Sequence, residues 1–345
     1  MKFKYLLNKL VDHDDLSLDE ARTALELIIS GKVNNECVAS FLTAMRMKGE
    51  TIEELTAFAE VMREAAIKPQ VETGGAVDLC GTGGDASGTF NISTASMFIV
   101  AGAGVPVLKH GNRSVSSKSG SADVLEALGG VIDLHKEQVE WVFEQTGMVF
   151  MFAPNFHPAM KHVMSARRAV GIRTFFNILG PLLNPAQVKR QVIGAYSKEM
   201  ARKIARILAN LDTEFAYTLN AHDGLDEVSL SAQTEIFELN NRMMKEATTF
   251  DPRSLDFKWA EIDELQGGDA VFNAEIIKSI LENKAKAPQR NITLLNATFA
   301  IHATGRAEHL AEAKALAEES LNSGSAKKAL NNFVEATKEV AKSIV

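Results

Sequence analysis

Apolar residues in the first 70 positions recur three or four places apart, which is the spacing of an amphipathic helix. Two successive runs with this spacing are Leu18, Ala21, Leu25 and Ile28, and then Val38, Phe41, Leu42 and Met45. Nothing before Val77 alternates in the manner of a strand. The pattern therefore predicts a small all-helical domain over residues 1–72, and an apolar face left uncovered there could serve as a dimer surface.

Capping signals divide this helical stretch. The sequences SLDE at 17–20 and TIEE at 51–54 are capping boxes, in which a hydroxyl and a glutamate satisfy free amides at the start of a helix. Gly31 and Gly49 would end the two helices that precede them, because glycine adopts the left-handed conformation found just after a helix.

From Gly74 onward, short apolar or β-branched runs alternate with helical stretches. We expect strands at residues 77–79, 105–108, 149–152, 191–195, 215–219 and 235–239, with one more near Phe250. Such alternation predicts a large α/β domain over residues 73–345, with a central, mostly parallel sheet flanked by helices and functional loops at the carboxyl ends of the strands. The Arg-rich helical segment at about 160–185 would pack with the small domain.

The amino-acid composition of the chain argues against several classes of protein. The chain is 46% hydrophobic and 23% charged, as in an ordinary globular protein, and its net charge of −7 argues against a nucleic-acid partner. Cys37 and Cys80 are far apart and lack metal-site spacing, which is typical of the reducing cytoplasm. No apolar run is long enough to cross a membrane, and the N-terminus predicts a helix rather than a signal peptide.

Residues 78–123 concentrate groups that suit phosphate. Gly81, Gly83 and Gly84 form a loop whose amides can approach an anion, and the NIST sequence at 91–94 lies where a helix begins. Charge and further donors come from Lys109, His110, Asn112, Arg113, Ser114, Ser116, Ser117 and Ser119. This density of donors predicts a ligand with more than one phosphate.

The glycine run GTGG, taken alone, is more typical of a tight turn than of a ligand site. It is neither a Walker motif nor a dinucleotide-binding fingerprint, because the required lysine and glycine spacings are missing. The binding interpretation gains weight from the polar residues that follow at 91–94 and from Lys109 after the next apolar run. Asp226 and Glu227 form an acidic pair after a predicted strand. Such a pair is often only solvated, but in a loop both carboxylates can converge on Mg²⁺.

Several motifs in order resemble the anthranilate phosphoribosyltransferase family. They are DLCGTGGD at 78–85, NIST at 91–94, KHGNRSVSSKSGSAD at 109–123, FAPNFHPAMKHV at 152–163, RRAVGIRTFFNILGPLLNPA at 167–186, HDGLDEVSL at 222–230, GGDAVFNA at 267–274 and LLNATFAI at 294–301. The resemblance implies transfer of phosphoribose from phosphoribosyl pyrophosphate to the amino group of anthranilate, the second step of tryptophan biosynthesis from chorismate. It also implies the nucleoside-phosphorylase-like fold and a homodimer formed through the small helical domains.

The same resemblance implies a donor site and a metal site. The donor site would comprise Gly81, Gly83, Gly84, Asp85, Thr89, Asn91, Ile92, Ser93, Thr94, Lys109, Asn112, Arg113, Ser114, Ser116, Ser117 and Ser121. Lys109 would stabilise the leaving pyrophosphate, and no covalent nucleophile is expected. Ser93, Asp226 and Glu227 would bind Mg²⁺, with two ions per subunit.

Anthranilate recognition is assigned by the resemblance to Gly81, His110, Asn112, His157, Arg167 and Gly180. The guanidinium of Arg167 matches a carboxylate in a bidentate manner, whereas Arg168 would be structural. His157 could equally be a histidine packed at a hinge. Met160 stands where some members of the family carry an aromatic residue, so the outer substrate channel would differ.

Two other functions are compatible with parts of this picture. A pyrimidine-nucleoside phosphorylase of the same fold would use phosphate as nucleophile, but we expect it to lack the RRAVGIRT and FNILGPLLNP sequences. A non-catalytic relative that binds nucleic acid would need a basic face and would have lost the acidic pair at 226–227.

Overall fold

The computed structural model of the chain describes residues 3–85, 87–114 and 118–342. Its helices are α1 Phe3–Val11, α2 Leu18–Ile29, α3 Asn35–Lys48, α4 Ile52–Glu64, α5 Ile92–Gly102, α6 Ser121–Ala127, α7 Lys136–Thr146, α8 Ala153–Phe156, α9 Lys161–Val170, α10 Phe176–Leu179, α11 Lys198–Asn210, α12 Ala270–Leu281, α13 Ala287–Ala303, α14 Leu310–Asn322 and α15 Ser325–Lys342. Short 3₁₀ turns occupy Pro158–Met160, Gly180–Leu182, Pro252–Leu255 and Ile262–Leu265.

The strands are β1 Asp78–Gly81, β2 Val107–Gly111, β3 Met148–Phe152, β4 Arg190–Gly194, β5 Phe215–Ala221, β6 Thr234–Asn240, β7 Met243–Met244 and β8 Thr248–Phe250. β1, β4 and β5 are parallel neighbours, and β2 and β3 form a second parallel pair. The bridge between Val77 and Val107 joins the two groups. The predicted α/β architecture with a mostly parallel sheet is confirmed.

The N-terminal helices begin where the sequence predicts. The Ser17 hydroxyl accepts a hydrogen bond from the Glu20 amide, and the Thr51 hydroxyl accepts one from the Glu54 amide, so both capping boxes are formed. α3 ends before Gly49, whose φ of 86° favours glycine. The apolar stripes of α2, α3 and α4 meet in one core.

The segment from α9 to α10 packs against this helical unit. α9 contacts α2 and α3, and the ring of Phe175 stacks on Phe58 at 4.5 Å and meets Phe41 edge-on at 6.4 Å. The same core extends to α11, so the helical unit and the sheet are in direct contact. The boundary at residue 72 stays a prediction.

Two details of the strands differ from expectation. β2 begins at Val107 and continues to Gly111, two to three residues later than predicted, because Pro106 has no amide to donate to a ladder. Lys109 and His110 therefore lie within the strand. The hairpin formed by β6 and β7 was not predicted; its turn at Asn241 and Arg242 has two positive φ angles, of 47° and 66°, without the usual glycine.

The antiparallel strands β6, β7 and β8 extend the parallel sheet beyond β5. Helices α5, α13, α14 and α15 pack together beside it and bury a large apolar core. Within the described residues, no helix is both long and apolar enough to cross a membrane. The carboxyl ends of β1 and β2, the start of α5 and the connection after β5 gather the polar residues discussed next.

Candidate active site

The loop after β1 supplies backbone groups rather than side chains. Gly83 and Gly84 have φ angles of 65° and 81°, which residues with a Cβ adopt only with strain. The Gly83 amide donates to Oδ2 of Asp226 at 2.9 Å. A Cβ added to Gly81 would lie 2.4 Å from the same oxygen, so glycine is required for this close approach. The loop after β1 is therefore held against the connection between β5 and β6.

Ser93 lies in the first turn of α5 and connects three parts of the site. Its amide donates to Oε1 of Glu227 at 3.1 Å, and its hydroxyl accepts from Nζ of Lys109 at 3.3 Å. Lys109 also donates to the carbonyl of Leu79, and its side chain is buried. Ser93 thus links the ammonium group of Lys109, the start of α5 and the carboxylate of Glu227.

The two adjacent carboxyl groups here lie in surroundings that oppose their ionisation. Burial raises the pKa of Asp226 to about 7, and the neighbouring charge of Asp85 contributes to this rise. Burial and the charge of Asp226 also raise the pKa of Glu227 well above its usual range, against the opposing effect of Lys109. Two adjacent oxygen ligands whose ionised form lacks a sufficient counter-charge fit a hard divalent cation such as Mg²⁺.

The described residues contain no group of three or more His, Cys, Asp or Glu side chains placed to hold a metal by themselves. That is compatible with Mg²⁺, which commonly binds through one or two carboxylates and completes its coordination with substrate phosphates and water. Asp226, Glu227 and the Ser93 hydroxyl are the groups that could hold it.

The connection between β5 and β6 is supported by its own side chains and by α13. Oδ1 of Asp223 accepts from the Leu225 amide at 3.2 Å, and Oδ2 accepts from the Ser229 hydroxyl at 2.6 Å. Asn296, buried on α13, accepts from the Val228 amide and donates to the Val228 carbonyl. Asp223 is thus committed to the loop itself. Asn296 was missed by the sequence reasoning, although it lies in the LLNATFAI motif.

The predicted donor residues are not all placed alike. Asn91 precedes α5 and uses its side chain as a bridge, donating to the Ser119 carbonyl at 3.2 Å and accepting from Asn273 at 2.9 Å. Thr89 pairs with Gln266 in a single bridge. Asn273 was also missed, and its signal was the GGDAVFNA motif. These contacts attach the loop between β1 and α5 to α12.

Three predicted donor residues are either buried or paired within the protein. Ile92 is buried in the apolar core, and its amide donates to the Phe90 carbonyl at 2.7 Å. Thr94 is buried too, and its hydroxyl has no hydrogen-bond partner in the part of the chain that the structure describes. Arg113 forms ion pairs with Asp123 and Glu126, so its guanidinium lies in a surface network. The part of these three residues in a donor site stays a prediction.

The loop after β2 is described up to residue 114 and again from residue 118. Ser116 and Ser117 therefore lie outside the described residues. Oδ1 of Asn112 accepts from the Arg113 amide at 2.7 Å, and the Asn112 carbonyl accepts from the Ser121 hydroxyl at 3.4 Å. The Ser114 amide donates to Asp123 at 3.1 Å. These bonds fold the loop back on the start of α6.

The predicted acceptor for the anthranilate carboxylate lies on the helix that packs against the helical unit. Arg167 is on α9, with its guanidinium 5.2 Å from the centre of the Phe176 ring. Partial burial lowers its pKa, and it has no carboxylate partner among residues 3–85, 87–114 and 118–342. A half-buried, unpaired guanidinium is suited to an external anion. A Cβ at Gly180 would meet nothing within 4 Å, so open space lies beside it.

His110 and His157 face each other, with ring centres 5.2 Å apart. Nε2 of His157 bonds to the Leu183 carbonyl at 2.9 Å, whereas Nδ1 of His157 and Nε2 of His110 have no partner among the described residues. Burial lowers the pKa of His110 to about 3 and also lowers that of His157, so both rings are neutral near pH 7. The pair is polar but uncharged.

Asp78 and Asn184 form a buried hydrogen-bonded pair next to His110, which was not predicted from the sequence. The Asn184 amide group donates to Oδ2 of Asp78 at 2.8 Å and to the Leu108 carbonyl at 2.7 Å. The His110 amide donates to Oδ1 of Asp78 at 3.3 Å. Burial raises the pKa of Asp78 to about 6. This link fixes β2 relative to β1 and to the segment after α10.

Two surface cavities lie away from this cluster. One, of about 350 Å³, is lined by α12 and α15 residues such as Lys278 and Lys338. The other, of about 420 Å³, lies between the turn after α2 and the start of α9, beside Gly31 and His162. The candidate site is thus identified by its side chains and strand ends rather than by the size of a cavity.

Comparisons with known proteins agree with this geometry. The sequence profile of the glycosyl transferase family helical bundle domain matches residues 4–66, and that of the family's a/b domain matches residues 73–327. Anthranilate phosphoribosyltransferase of Salinibacter ruber is 48% identical over 337 residues, which covers 97% of this chain and 98% of the relative. The enzyme of that name from Desulfatibacillum aliphaticivorans is 47% identical over 339 residues, covering 98% and 99% of the two chains.

Comparison with solved structures points to the same family as the sequence comparisons. Anthranilate phosphoribosyltransferase from Thermus thermophilus superposes with a TM-score of 0.90 at 35% identity, covering 96% of this chain and 99% of that one. The Saccharomyces cerevisiae enzyme in complex with PRPP and Mg superposes with a TM-score of 0.89 at 27% identity. Its complex with 4-fluoroanthranilate superposes with a TM-score of 0.88 at 26% identity. Each of these two superpositions covers 98% of this chain and 98% of the yeast chain. Fold, motif order and full-length similarity coincide, and the chain belongs to the anthranilate phosphoribosyltransferase family.

Proposed function

We propose that this chain transfers the phosphoribosyl group of 5-phosphoribosyl 1-pyrophosphate to the amino group of anthranilate, giving N-(5-phosphoribosyl)anthranilate and pyrophosphate. The observation that supports this most strongly is the convergence of Lys109, Ser93 and the acidic pair Asp226 and Glu227 at one point. That point combines a cation, a helix start and metal-binding oxygens, which together suit a pyrophosphate group. The yeast relative solved with PRPP and Mg supports the same donor.

The donor would lie along the loop after β1 and the start of α5. The amides of Gly84 and Asp85 and the hydroxyls of Thr89 and Ser93 would face its phosphates. Asp226, Glu227 and the Ser93 hydroxyl would hold Mg²⁺, and we propose two ions per subunit. When bound, Mg²⁺ would neutralise charge on the pyrophosphate. The raised pKa values of the two carboxylates support this assignment, since a cation relieves the repulsion that helps to raise them.

Anthranilate would bind between Arg167 and the end of β2. The guanidinium of Arg167 would receive its carboxylate, and the open space beside Gly180 would admit its ring. Neutral His110 and His157 would border this position without competing for the carboxylate. Asn112, which follows β2, would lie between the two substrates.

The reaction needs no covalent intermediate on the protein. The amino group of anthranilate is weakly basic, so it is largely unprotonated at neutral pH and can act as the nucleophile. The bond from C1 of ribose to the pyrophosphate oxygen breaks through an oxocarbenium-like transition state. Lys109 and the first amides of α5 would stabilise the negative charge that develops on the leaving group. The protein would therefore act by positioning and by electrostatic stabilisation.

The test is to measure pyrophosphate release from the donor with and without anthranilate, and base release from a pyrimidine nucleoside with inorganic phosphate. We expect pyrophosphate release only when anthranilate and Mg²⁺ are both present, with one pyrophosphate formed for each anthranilate consumed. A pyrimidine-nucleoside phosphorylase would instead release a free base from the nucleoside. Phosphorolysis without anthranilate-dependent release would refute the proposed function.

We also infer that two copies associate through the small helical domain. The support is a set of large apolar side chains that are exposed on α1, α2 and α3: Tyr5, Val11, Leu18 and Met47. Replacing Val11 and Met47 together by glutamate should convert a dimer into a monomer in light scattering.

A phosphorylated donor does not cross a membrane unaided, so we expect the enzyme in the cytoplasm.

A further inference from the structure

Arg173 reaches from the segment between α9 and α10 to the loop after β1. Its Nη2 donates to the Gly84 carbonyl at 2.9 Å, and its guanidinium lies over the Tyr196 ring, 4.7 Å from the centroid. No ion pair is recorded for it anywhere in the described chain. Its contacts are thus with a backbone carbonyl and an aromatic face, both of which favour a planar guanidinium over an ammonium group.

Tyr196 is itself joined to the same loop. Its amide donates to the Thr82 hydroxyl at 3.2 Å, and the Thr82 amide donates to the Gly194 carbonyl at 2.9 Å. Arg173 thus contacts Tyr196, and Tyr196 is bonded in turn to Thr82 of the same loop.

The Gly83 amide donates to Asp226, which lies in the connection between β5 and β6. Two consecutive glycines are thus fixed by partners from different parts of the chain. The approach of Arg173 is close, because a Cβ added to Gly84 would lie 2.5 Å from Nη2. The guanidinium occupies the space that a side chain at residue 84 would need.

The other end of Arg173 is fixed in the helical unit. Phe175, two residues later, stacks on Phe58 at 4.5 Å, and Arg167, six residues earlier, is on α9 against α2 and α3. Because Arg173 belongs to this segment, the packing of the segment determines where its side chain contacts the loop. Arg173 is the residue that connects the segment bearing Arg167 with the glycine loop.

We propose that Arg173 is a positioning residue that holds the glycine loop, residues 81–85, in the conformation that receives the phosphoribosyl donor. The proposal rests on the proposed function for the identity of the ligand. Without Arg173, the loop keeps its bonds to Asp226, Tyr196 and Gly194, but the Gly84 carbonyl loses its partner. The amides of the loop then sample more conformations, and donor binding must order them.

The first experiment compares Arg173→Ala with the wild type by hydrogen exchange in the absence of substrates. Peptides that cover the glycine loop should exchange several-fold faster in the variant, while peptides of α2 and α13 exchange at wild-type rates. Arg168→Ala is the matched control, because Arg168 is an exposed arginine on α9 for which no ion pair is recorded among the described residues. Unchanged exchange of the loop in Arg173→Ala would overturn the proposal.

The second experiment separates positioning from general stability. Arg173→Ala should raise the KM for the donor by about tenfold or more, leave the KM for anthranilate within about threefold, and keep the melting temperature within a few degrees. Arg173→Lys should recover little, since it keeps the charge but loses the planar fork, and Tyr196→Phe should behave as wild type because the aromatic face is kept. Equal rises in both KM values would overturn the proposal.

Should the wild type itself transfer nothing to anthranilate, the proposed function fails, and the exchange experiment still decides the role of Arg173.

Discussion

The Ser93 amide donates a hydrogen bond of 3.1 Å to Oε1 of Glu227, although 134 positions separate the two residues along the chain. Ser93 lies in the first turn of α5, and Glu227 lies in the connection between β5 and β6. The contact joins a helix start that favours anions to a carboxylate that favours cations. A pyrophosphate bound with its metal would carry both kinds of charge, which suits the binding role proposed for the two groups.

Replacing Asp226 with Asn and Glu227 with Gln should abolish Mg²⁺-dependent turnover, with a loss of at least about 100-fold in kcat. The fold should survive, because the amides remove two desolvated charges and keep similar shapes. Turnover is measured across a range of Mg²⁺ concentrations, and circular dichroism serves as the folding control. Near-normal rates in a folded double variant would refute the metal assignment.

Arg167→Ala should raise the KM for anthranilate by about 100-fold and the KM for the donor by less than about threefold, since a bidentate charged contact to the acceptor is lost. Steady-state rates with each substrate varied in turn provide the measurement. Arg168→Ala is the control, since Arg168 is adjacent in sequence and exposed. Parallel increases in both KM values for Arg167→Ala would exclude its role in acceptor recognition.

Two glycines that surround Asp226 should respond differently to alanine. At Gly81 the new Cβ would lie 2.4 Å from a carboxylate oxygen of Asp226, and that side chain can move away. At Gly194 it would lie 1.5 Å from the Asp226 carbonyl, which is backbone and cannot move without distorting the connection. We expect Gly81→Ala to fold and lose activity at least about tenfold, and Gly194→Ala to lose several kcal/mol of stability. Urea unfolding and rate measurements distinguish the two, and equal stabilities would contradict this explanation.

The neutral state of His110 predicts a specific dependence of stability on pH. Its pKa is about 3 in the folded protein and about 6.5 when unfolded, so the unfolded state binds more protons between these values. Stability should therefore fall as the pH drops below 6.5, by about 1.4 kcal/mol per pH unit from this residue. His157, whose pKa is also lowered, acts in the same direction.

Urea unfolding at pH 7, 6 and 5 tests this expectation on wild type and His110→Gln. The variant should lose stability less steeply, because glutamine does not take up a proton in this range. His309→Gln, at an exposed position, should follow the wild type. If His110→Gln and the wild type lose stability in parallel, His110 is not the buried neutral group described.

Much of the fold follows from local sequence signals. The capping boxes at Ser17 and Thr51 fix helix starts within one turn, and the alternation after Gly74 predicts the parallel strands. The shift of β2 follows from a single missing amide at Pro106. The β6–β7 hairpin had no such signal, because Asn241 and Arg242 adopt positive φ angles that are usual only for glycine.

The candidate site could be predicted only in part. Motifs marked Ser93, Lys109, Asp226 and Glu227, and the structure brings these together. Contacts between distant segments have no local signal: Asn184 reaches Asp78 across 106 positions, and Arg173 reaches Gly84 across 89. At Ile92, Thr94 and Arg113 the motif marks the segment, whereas burial or an ion pair determines the surroundings of each side chain, so their part in donor binding stays a prediction.

The most direct measurement follows the fluorescence of anthranilate after mixing with the protein, phosphoribosyl pyrophosphate and Mg²⁺. We expect a catalytic loss of fluorescence that stops on adding a chelator and is absent in the Asp226→Asn, Glu227→Gln double variant. Stable fluorescence with the folded wild-type protein and all components present would contradict it.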